Sequence, residues 1–375
     1  MRKALLKLRE AEVFARAMAS PHHPVLVQII PIRRCNLSCA YCNEFDRSSA
    51  PVPTEIMLRR LDRLIELGAS VITFSGGEPL LHPELETLIR HVRRAGRMAT
   101  VITNGYLLGP ERIERLNRAG LDYLQISIDN VEPDEVSMKS LRVLERKLEL
   151  LRRHARFAIT INCVLGSGVR RPEDALAITQ RARQLGFHST LGLIHDSHGQ
   201  ARPLDETSLR VFEEITRLND SVYSFTHFDR FQRELAFGRP APWHCPAGGR
   251  FLYVCEDGLV HYCSQQRGSP GIPLEQYKEE DLRREGARPK SCSDFCTISC
   301  VRQTAMLDEV RRRPKEMLEE LISRRGRSPR FLRFLYWLFF SHPLADWMRR
   351  QTALLLRPPR RLAGAEEHGQ RLRRM

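Results

Sequence analysis

The chain has 375 residues, of which 42% are hydrophobic and 28% charged, values that exclude a wholly disordered, collagen-like or coiled-coil protein. It contains no uninterrupted apolar run of about 18 residues, so the sequence predicts no conventional membrane-spanning helix. The formal net charge of +15 is concentrated at one end, because residues 311–375 hold 17 Lys and Arg against 6 Asp and Glu. A nucleic-acid enzyme more often spreads positive charge around its cleft, so the sequence disfavours a nucleic-acid partner and predicts a local anionic contact at this tail.

Residues 1–22 predict an amphipathic helix. Glu10 and Glu12 lie where a secretory signal would need an apolar centre, so we expect a cytoplasmic protein. The ten cysteines are clustered along the chain, and in a reducing compartment such clusters indicate metal ligands more than disulfides.

Short β-branched segments alternate with amphipathic segments over residues 23–238. We predict strands at Val25–Pro31, Val71–Phe74, Ala99–Thr103, Tyr123–Ile128, Phe157–Leu165 and Thr190–Ile194. The intervening helices are predicted at Thr54–Leu67, Pro83–Ala95, Pro110–Ala119, Met138–His154 and Pro172–Leu185. Such a repeat implies an α/β fold with parallel strands and right-handed crossovers, either an open doubly wound sheet or a complete or partial barrel.

The alternation fades after Leu218, and the two prolines of Arg239–Pro242 indicate a linker. Residues 239–305 are rich in Cys and Gly, and residues 306–375 are Arg-rich and helical in pattern. We therefore predict four parts: the helix at 1–22, a core at 23–238, a cysteine-rich extension at 239–305 and a basic helical tail at 306–375.

Cys35, Cys39 and Cys42 form a C-x3-C-x2-C motif immediately after the first predicted strand. A structural zinc site would need a fourth ligand nearby. A four-iron, four-sulfur cluster can be held by three thiolates, which leaves one iron open to a small molecule. Three unrelated buried cysteines are the structural alternative.

The motif, with the aromatic Tyr41 before its last cysteine, resembles that of the radical S-adenosylmethionine superfamily. The resemblance extends from about Val25 to Asp196 and favours a partial (β/α)6 TIM-like barrel. It implies that Cys35, Cys39 and Cys42 hold a [4Fe-4S] cluster whose open iron binds S-adenosylmethionine. It also implies an oxidoreductase-type enzyme that cleaves this cofactor reductively, so that a 5′-deoxyadenosyl radical abstracts hydrogen from a substrate.

Polar and glycine residues follow the next three strands, where such folds build their sites. The resemblance implies that they and Tyr41 contact the cofactor: Gly76, Gly77 and Glu78 at its amino group, and Asn104, Ser127 and Asp129 around its carboxylate and ribose. Tight turns and a helix cap are the alternatives. After the sixth strand, His195 to His198 could orient a substrate or move a proton, and the alternative is a solvated loop.

A second cysteine region has the pattern C-x12-G-x4-C followed by C-x3-C-x3-C, with ligand candidates Cys245, Cys263, Cys292, Cys296 and Cys300. Asp257-Gly258 predicts a hairpin between the first two, and the i, i+4, i+8 spacing predicts one helical face for the last three. The region resembles the SPASM and twitch extensions, which bind auxiliary clusters, although the second half departs from their pattern and Cys255 is extra. We expect one auxiliary [4Fe-4S] cluster held by Cys245, Cys263 and two of the other three, with a zinc site as the alternative.

The substrate is not encoded in these motifs; the resemblance favours a peptide or protein. An electron donor such as flavodoxin or ferredoxin is implied as a partner. Aromatic residues lie beside arginines in Phe331–Phe340, a composition that suits the surface of an anionic membrane. One interpretation of the tail is therefore peripheral contact at the inner membrane surface, with a lipid-linked substrate. The other interpretation is a pair of packing helices. A non-catalytic iron–sulfur electron-transfer or scaffold protein and a nucleic-acid-modifying radical enzyme are the alternative functions.

Overall fold

The computed structural model describes residues 2–195, 201–219, 229–316 and 319. The chain divides into two compact units, residues 1–308 and residues 309–375. In the second unit, the described residues are 309–316 and 319, which are mostly helical. The predicted aromatic segment of the tail and Asp196 to His198 lie outside the described residues.

The described elements follow one another in an alternating order. The helices are α1 (Arg2–Ala19), α2 (Thr54–Glu66), α3 (Leu85–Arg94), α4 (Pro110–Ala119), α5 (Leu141–His154), α6 (Glu173–Gln184), α7 (Glu206–Asn219), α8 (Asp229–Ala236), α9 (Glu279–Ala287) and α10 (Ser299–Arg312). The strands are β1 (Leu26–Ile32), β2 (Val71–Gly76), β3 (Met98–Thr103), β4 (Tyr123–Ser127), β5 (Ala158–Gly166), β6 (His188–Ile194), β7 (Phe251–Val254), β8 (Leu259–His261) and β9 (Pro270–Pro273).

The nine strands form one sheet in the order β6-β5-β4-β3-β2-β1-β7-β8-β9. Strands β1 to β6 pair in parallel with their sequence neighbours, which confirms the six predicted strands and the parallel βα repeat. This is the parallel α/β arrangement expected of the partial barrel. The first six strands therefore bring their carboxyl ends to one edge, where the predicted site residues lie.

Alternation along the strands separates the two faces of the sheet. On one face, apolar side chains such as Val27, Phe74, Leu124 and Ile161 are buried against the helices in the main core. Polar residues occupy many of the intervening positions on the other face. Helices α2 to α6 cover that first face, whereas on the other face α10 packs over β1 and β7, where Val301 meets Ile30, Phe251 and Tyr253. The polar part of the second face, over β2 to β5, is available to the site.

Helix α5 begins at Leu141, so the predicted start at Met138 was three residues too early. The Ser140 hydroxyl accepts from Val143 N at 3.4 Å and caps the helix, while Leu141 N donates to the Asn130 carbonyl at 2.8 Å. Residues 138–139 are thereby left in the β4–α5 loop rather than in the first turn.

The predicted hairpin around Asp257-Gly258 is present as the antiparallel pair β7–β8. Strand β7 also pairs in parallel with β1, from Leu26 opposite Phe251 to Ile29 opposite Val254. The cysteine-rich extension thus continues the sheet of the barrel. Among the described residues, the structure contains no helix long and apolar enough to cross a membrane.

Candidate functional site

The first cysteine loop is closed at its base by backbone hydrogen bonds. Cys35 N donates to the Asp46 carbonyl at 3.0 Å, and Asp46 N donates to the Arg33 carbonyl at 3.1 Å. Within the loop, Cys42 N donates to the Cys39 carbonyl at 3.1 Å. The loop therefore starts and ends at the carboxyl end of β1 and holds its three cysteines over that edge of the sheet.

The thiols of this loop lie within electrostatic reach of one another. Burial raises the pKa of the Cys35 thiol, and Glu78, Cys42 and Cys39 raise it further. Burial also raises the pKa of Cys42, to which Cys39 contributes. Cys35 and Cys42 would therefore not ionise together here without a cationic centre to neutralise them.

The spacing of the sulfur atoms distinguishes a cluster from a single ion. Four sulfurs bound tetrahedrally to zinc at about 2.3 Å lie about 3.8 Å apart. Among the described residues, one group of three or more Cys, His, Asp or Glu has all its ligand atoms within 4.8 Å of one another, and it consists of Cys255, Asp257 and His261. The sulfurs of neither predicted cysteine set are that close, so both sets fit a wider, polynuclear centre better than zinc.

Gly76 and Gly77 let the end of β2 lie directly against the backbone that precedes Cys35. Gly76 has a φ of +117°, and a Cβ on Gly77 would lie 2.5 Å from the Arg34 carbonyl oxygen. Glu78 N donates to that same oxygen at 3.0 Å. The glycine pair thus positions the cysteine loop, which is a role that a side chain at either position would prevent.

Glu78 is fully buried, and both of its carboxylate oxygens are engaged by protein donors. Leu80 N at 3.0 Å and Thr103 Oγ1 at 2.7 Å donate to Oε1, and Asn104 N donates to Oε2 at 2.8 Å. Burial raises its pKa, while these donors act in the opposite direction. The resemblance implies an ammonium contact for this carboxylate, whereas in the structure it fixes the end of β3.

Asn104 links the buried Glu78 to the cysteine loop. Its Nδ2 donates to Asn36 Oδ1 at 2.8 Å and lies 3.8 Å from Cys35 Sγ. The chain of contacts from Glu78 through Asn104 to Cys35 joins three of the predicted site positions.

Tyr41 and Asp129, both predicted as cofactor-binding, are bonded to each other. Tyr41 Oη donates to Asp129 Oδ2 at 2.5 Å, and Ser137 Oγ donates to the same oxygen at 2.6 Å. The other carboxylate oxygen, Oδ1, is buried and has no hydrogen-bond partner among the described residues. An unsatisfied buried acceptor beside the cysteine loop fits a site that receives a donor from a ligand. Ser127 lies two residues earlier, half-buried at the end of β4.

Lys139 completes this group, and sequence reasoning missed it because it lies in a segment predicted to be helical. Its Nζ is 3.0 Å from Asp129 Oδ2 and donates to the Tyr41 hydroxyl. Burial alone would lower the pKa of Lys139, but Asp129, Tyr41 and Cys39 together raise it well above its usual value. The lysine is therefore a buried cation beside the first cysteine loop.

The sheet face opposite the helices carries neutral polar side chains that sequence reasoning also missed. Thr73 and Thr100 share a hydrogen bond of 2.6 Å, and Thr190 Oγ1 donates to Asn162 Oδ1 at 2.9 Å. Others on this face are Gln28, Gln125 and Thr160. The available signal was a polar residue at every second position of strands that are otherwise apolar.

In the second region, Cys245, Cys263, Cys292 and Cys296 interact electrostatically. Burial raises the pKa of Cys263 to about 12, and Cys245 and Cys292 add to the rise. Burial also raises the pKa of Cys296, with contributions from the same three cysteines. The structure thus brings the predicted first pair, Cys245 and Cys263, together with Cys292 and Cys296.

Cys300 lies close to Cys263 but also faces the barrel. Gln28 Nε2 lies 3.8 Å from its sulfur, and burial raises its pKa to about 12, with Cys263 and Glu44 adding to the rise. Of the predicted candidates it is the one that contacts a side chain of β1.

The prediction that Cys292, Cys296 and Cys300 share one helical face was wrong. A 3₁₀ turn at Ser293–Phe295 follows Cys292, Cys296 is extended, and only Cys300 lies in α10. The reason is that the carbonyls needed for a continuous helix are taken elsewhere. Trp243 Nε1 donates to the Ser293 carbonyl at 2.6 Å, and Ala241 N donates to the Asp294 carbonyl at 2.9 Å.

The group of Cys255, Asp257 and His261 does not suit a metal ion despite its close spacing. The guanidinium of Arg267 donates to Cys255 Sγ at 3.0 Å, which places a cation where a metal would bind. Gly268 N donates to His261 Nδ1 at 2.9 Å, so the other ring nitrogen carries the proton of the neutral ring. The extra cysteine is therefore paired with an arginine.

Buried contacts join the two cysteine regions. Glu44, two residues after Cys42, accepts from Tyr253 Oη at 2.9 Å and also from Ser264, the residue after Cys263. Burial raises the pKa of Glu44, and these two donors act in the opposite direction. At the end of β6, Gln265 Nε2 donates to His195 Nε2 at 2.5 Å. The predicted polar group at His195 is therefore tied to the extension.

The fold and the site together define an iron–sulfur enzyme architecture, with widely spaced cysteines at the carboxyl edge of a parallel barrel sheet. The Radical SAM superfamily profile matches residues 29–199. A PqqA peptide cyclase of Gluconobacter oxydans is 38% identical over 282 residues, which cover 71% of this chain and 77% of that protein. The chain belongs to the radical SAM superfamily, and its cofactors are a [4Fe-4S] cluster and S-adenosylmethionine.

Other similarities are narrower or more distant. An AdoMet-dependent heme synthase of Methanosarcina barkeri is 31% identical, over 48% of this chain and 53% of that protein. The structure of Streptococcus suis SuiB bound to the precursor peptide SuiA superposes with a TM-score of 0.54 at 14% identity, covering 74% of this chain and 68% of that one. The structure of anSMEcpe with AdoMet and a peptide gives 0.50 at 17% identity, covering 74% and 83%. These two superpositions show the partial-barrel fold.

Proposed function

We propose that the protein is a peptide-modifying radical enzyme whose first cluster is held by Cys35, Cys39 and Cys42. When bound, the cluster and S-adenosylmethionine supply reductive cleavage to a 5′-deoxyadenosyl radical, which abstracts a hydrogen atom from the substrate. The observation that carries the proposal is the closed loop over the carboxyl end of β1 that holds the three cysteines of the C-x3-C-x2-C motif.

The chain's own residues would bind and orient the cofactor. The unpartnered Asp129 Oδ1 accepts a donor from the amino acid or ribose part, and Ser127 lies beside it at the same strand end. Gly76 and Gly77 shape the backbone at the adjacent edge, and Asn104 holds the cysteine loop at Asn36. Glu78 acts indirectly, by fixing Asn104.

A peptide substrate is supported by two observations. One relative that is similar over most of its length is named a PqqA peptide cyclase. In addition, the polar sheet face presents amides and hydroxyls, including Gln125, Thr160 and Asn162, that can hydrogen-bond to a peptide backbone. A lipid-linked substrate is the second candidate and rests on the aromatic, basic composition of residues 331–375.

We also propose one auxiliary [4Fe-4S] cluster, held by Cys245, Cys263, Cys292 and Cys296. The electrostatic interactions among these four support the choice, and Cys300, which also interacts with Cys263, is set apart by its contact with Gln28 of β1. A flavodoxin- or ferredoxin-like protein would supply the electron.

The test is anaerobic reconstitution followed by iron analysis and assay of 5′-deoxyadenosine. We expect about eight irons per chain, and about four after replacement of Cys35, Cys39 and Cys42 together. A Cys39→Ala variant should form no 5′-deoxyadenosine. Cys163→Ala is the matched control, because Cys163 is fully buried in the core of β5 and contacts Thr179. Cleavage by Cys39→Ala at the wild-type rate would contradict the first-cluster assignment.

The substrate class is tested with a small-molecule fraction of a cell extract. A peptide substrate in that fraction should accelerate 5′-deoxyadenosine formation, and prior treatment of the fraction with a protease should remove the effect. Loss after organic extraction, with survival of protease treatment, would favour the lipid-linked alternative.

A further inference from the structure

The β4–α5 loop lies directly on the first cysteine loop. Ala40 N donates to the Val136 carbonyl at 2.9 Å, and Ser137 Oγ is 3.5 Å from Cys39 Sγ. Ser137 and Cys39 are both buried. That hydroxyl donates its one proton to Asp129 Oδ2 at 2.6 Å, so it holds Asp129 in place beside the cysteine loop and donates no hydrogen bond to the sulfur.

Two residues later, the same loop places a cation beside that cysteine loop. The Lys139 side chain is 14% exposed and Asp129 is 3% exposed, with Nζ and Oδ2 separated by 3.0 Å. Nζ also donates to the hydroxyl of Tyr41, and it lies 5.0 Å from the centroid of that ring. Tyr41 immediately precedes Cys42, so the charge acts on the loop at short range and in a buried setting, where screening is weak.

We propose that Lys139 raises the reduction potential of the first cluster, and that Asp129 limits the effect of the lysine. The inference rests on the proposed ligation by Cys39 and Cys42. Reduction adds one electron to the cluster, so a nearby positive charge favours the reduced form. A nearby carboxylate favours the oxidised form, so the Lys139–Asp129 pair sets the balance between the two redox states of the cluster.

The proposal predicts shifts of opposite sign from the two members of one ion pair. Lys139→Met leaves the carboxylate uncompensated and should lower the equilibrium constant for reduction about tenfold, which is about 59 mV for a one-electron couple. Asp129→Asn leaves the lysine uncompensated and should raise the potential. Lys139→Arg keeps the charge and should remain near the wild-type value.

The experiment is an EPR-monitored redox titration of the reconstituted full chain without S-adenosylmethionine. The first cluster is recognised as the signal that is missing from the Cys39→Ala variant. Lys147→Met is the matched control, because that lysine donates to the Leu108 carbonyl at 2.8 Å and should leave the potential unchanged.

The outcomes distinguish failure of the proposed function from failure of this inference. If the wild-type protein lacks the signal that depends on Cys39, the proposed function fails. If the signal is present but Lys139→Met and Asp129→Asn leave the potential unchanged or shift it in the same direction, the inference fails. If Lys139→Met does not take up iron, the Asp129→Asn value decides, and a wild-type potential in that variant would overturn the inference.

Discussion

Replacement of Glu78 by Gln should destabilise the fold more than it weakens cofactor binding. Its carboxylate accepts three hydrogen bonds, from Leu80 N, Thr103 Oγ1 and Asn104 N, at 2.7 to 3.0 Å, and the residue is fully buried. An amide can present only one acceptor oxygen, so its NH₂ group must face at least one of these donors. A buried donor without an acceptor costs about 1–3 kcal/mol.

Two further effects oppose each other in this variant. The remaining hydrogen bonds lose their charge assistance, which destabilises the folded state. Burial raises the pKa of Glu78 because the ionised carboxylate is poorly solvated there. The neutral amide of Gln avoids this desolvation cost. We expect a net loss of about 2 kcal/mol, seen as a fall of several degrees in Tm.

The assay is thermal unfolding of the cluster-free protein by circular dichroism, together with S-adenosylmethionine binding to the reconstituted protein. Glu84→Gln is the matched control, because that carboxylate is exposed in the same segment. We expect Glu84→Gln to keep the wild-type Tm and both variants to bind the cofactor within tenfold of wild type. An unchanged Tm for Glu78→Gln with a loss of affinity above a hundredfold would refute the reasoning and restore the direct ammonium contact.

The remaining predictions concern the N-terminal side of the sheet. Burial, with Arg250 adding to it, lowers the pKa of His23 to about 4, so the folded state resists a proton that the unfolded chain accepts near pH 6.5. The free energy of unfolding should therefore fall as the pH drops from about 6.5 to 4, by at most about 1.4 kcal/mol per pH unit. Urea titrations of His23→Gln should show a shallower pH dependence of this free energy than wild type, and an identical dependence would contradict the prediction. Arg250 donates to the carbonyls of Ala17, Ser20 and His23 and lies 3.2 Å from Asp308. Arg250→Met should cost about 3–5 kcal/mol of unfolding free energy, since it removes a buried guanidinium that hydrogen-bonds to three carbonyls and lies beside a largely buried carboxylate, whereas a cost below about 1 kcal/mol would show that the contacts contribute little.

The periodicity of the sequence was sufficient to predict the six parallel strands, because each strand has one apolar face. Residues such as Ile72 and Phe74, or Leu124 and Ile126, alternate with polar neighbours and pack against helices. That pattern depends on local spacing alone, so the six strands could be predicted within one or two residues of their bounds. The choice between an open sheet and a barrel depended on the family resemblance.

The start of α5 and the broken helix after Cys292 could not be predicted in this way. Lys139 has a high helix propensity, but its backbone belongs to a loop because Asn130 and Ser140 take the bonds of the first turn. The carbonyls after Cys292 are likewise captured by Ala241 and Trp243, about 50 residues earlier in the chain. In both cases a partner distant in sequence or a specific cap overrides the local spacing, and no periodicity reports it.

The Tyr41–Asp129–Lys139 group shows the same limit for the site. The motif indicated Tyr41 and Asp129 separately, as two positions around a cofactor, and the structure shows that they are hydrogen-bonded to each other and to a lysine. A pairing across 98 residues, such as Tyr41 with Lys139, follows from the packing of one loop on another. Single-sequence reasoning can supply the residue types of such a site but not their connections.

The continuity of the sheet gives the two cysteine regions a common support. Strand β7 pairs with β1, so the strand that leads into the first cysteine loop is also the neighbour of the hairpin that precedes Cys263. Side chains cross that boundary in both directions: Gln28 of β1 reaches Cys300, and Tyr253 of β7 holds Glu44. A change in the hairpin that moved Tyr253 would therefore remove one of the two donors that hold the half-buried Glu44 carboxylate, two residues from Cys42. Because of this shared strand, the extension takes part in shaping the first site.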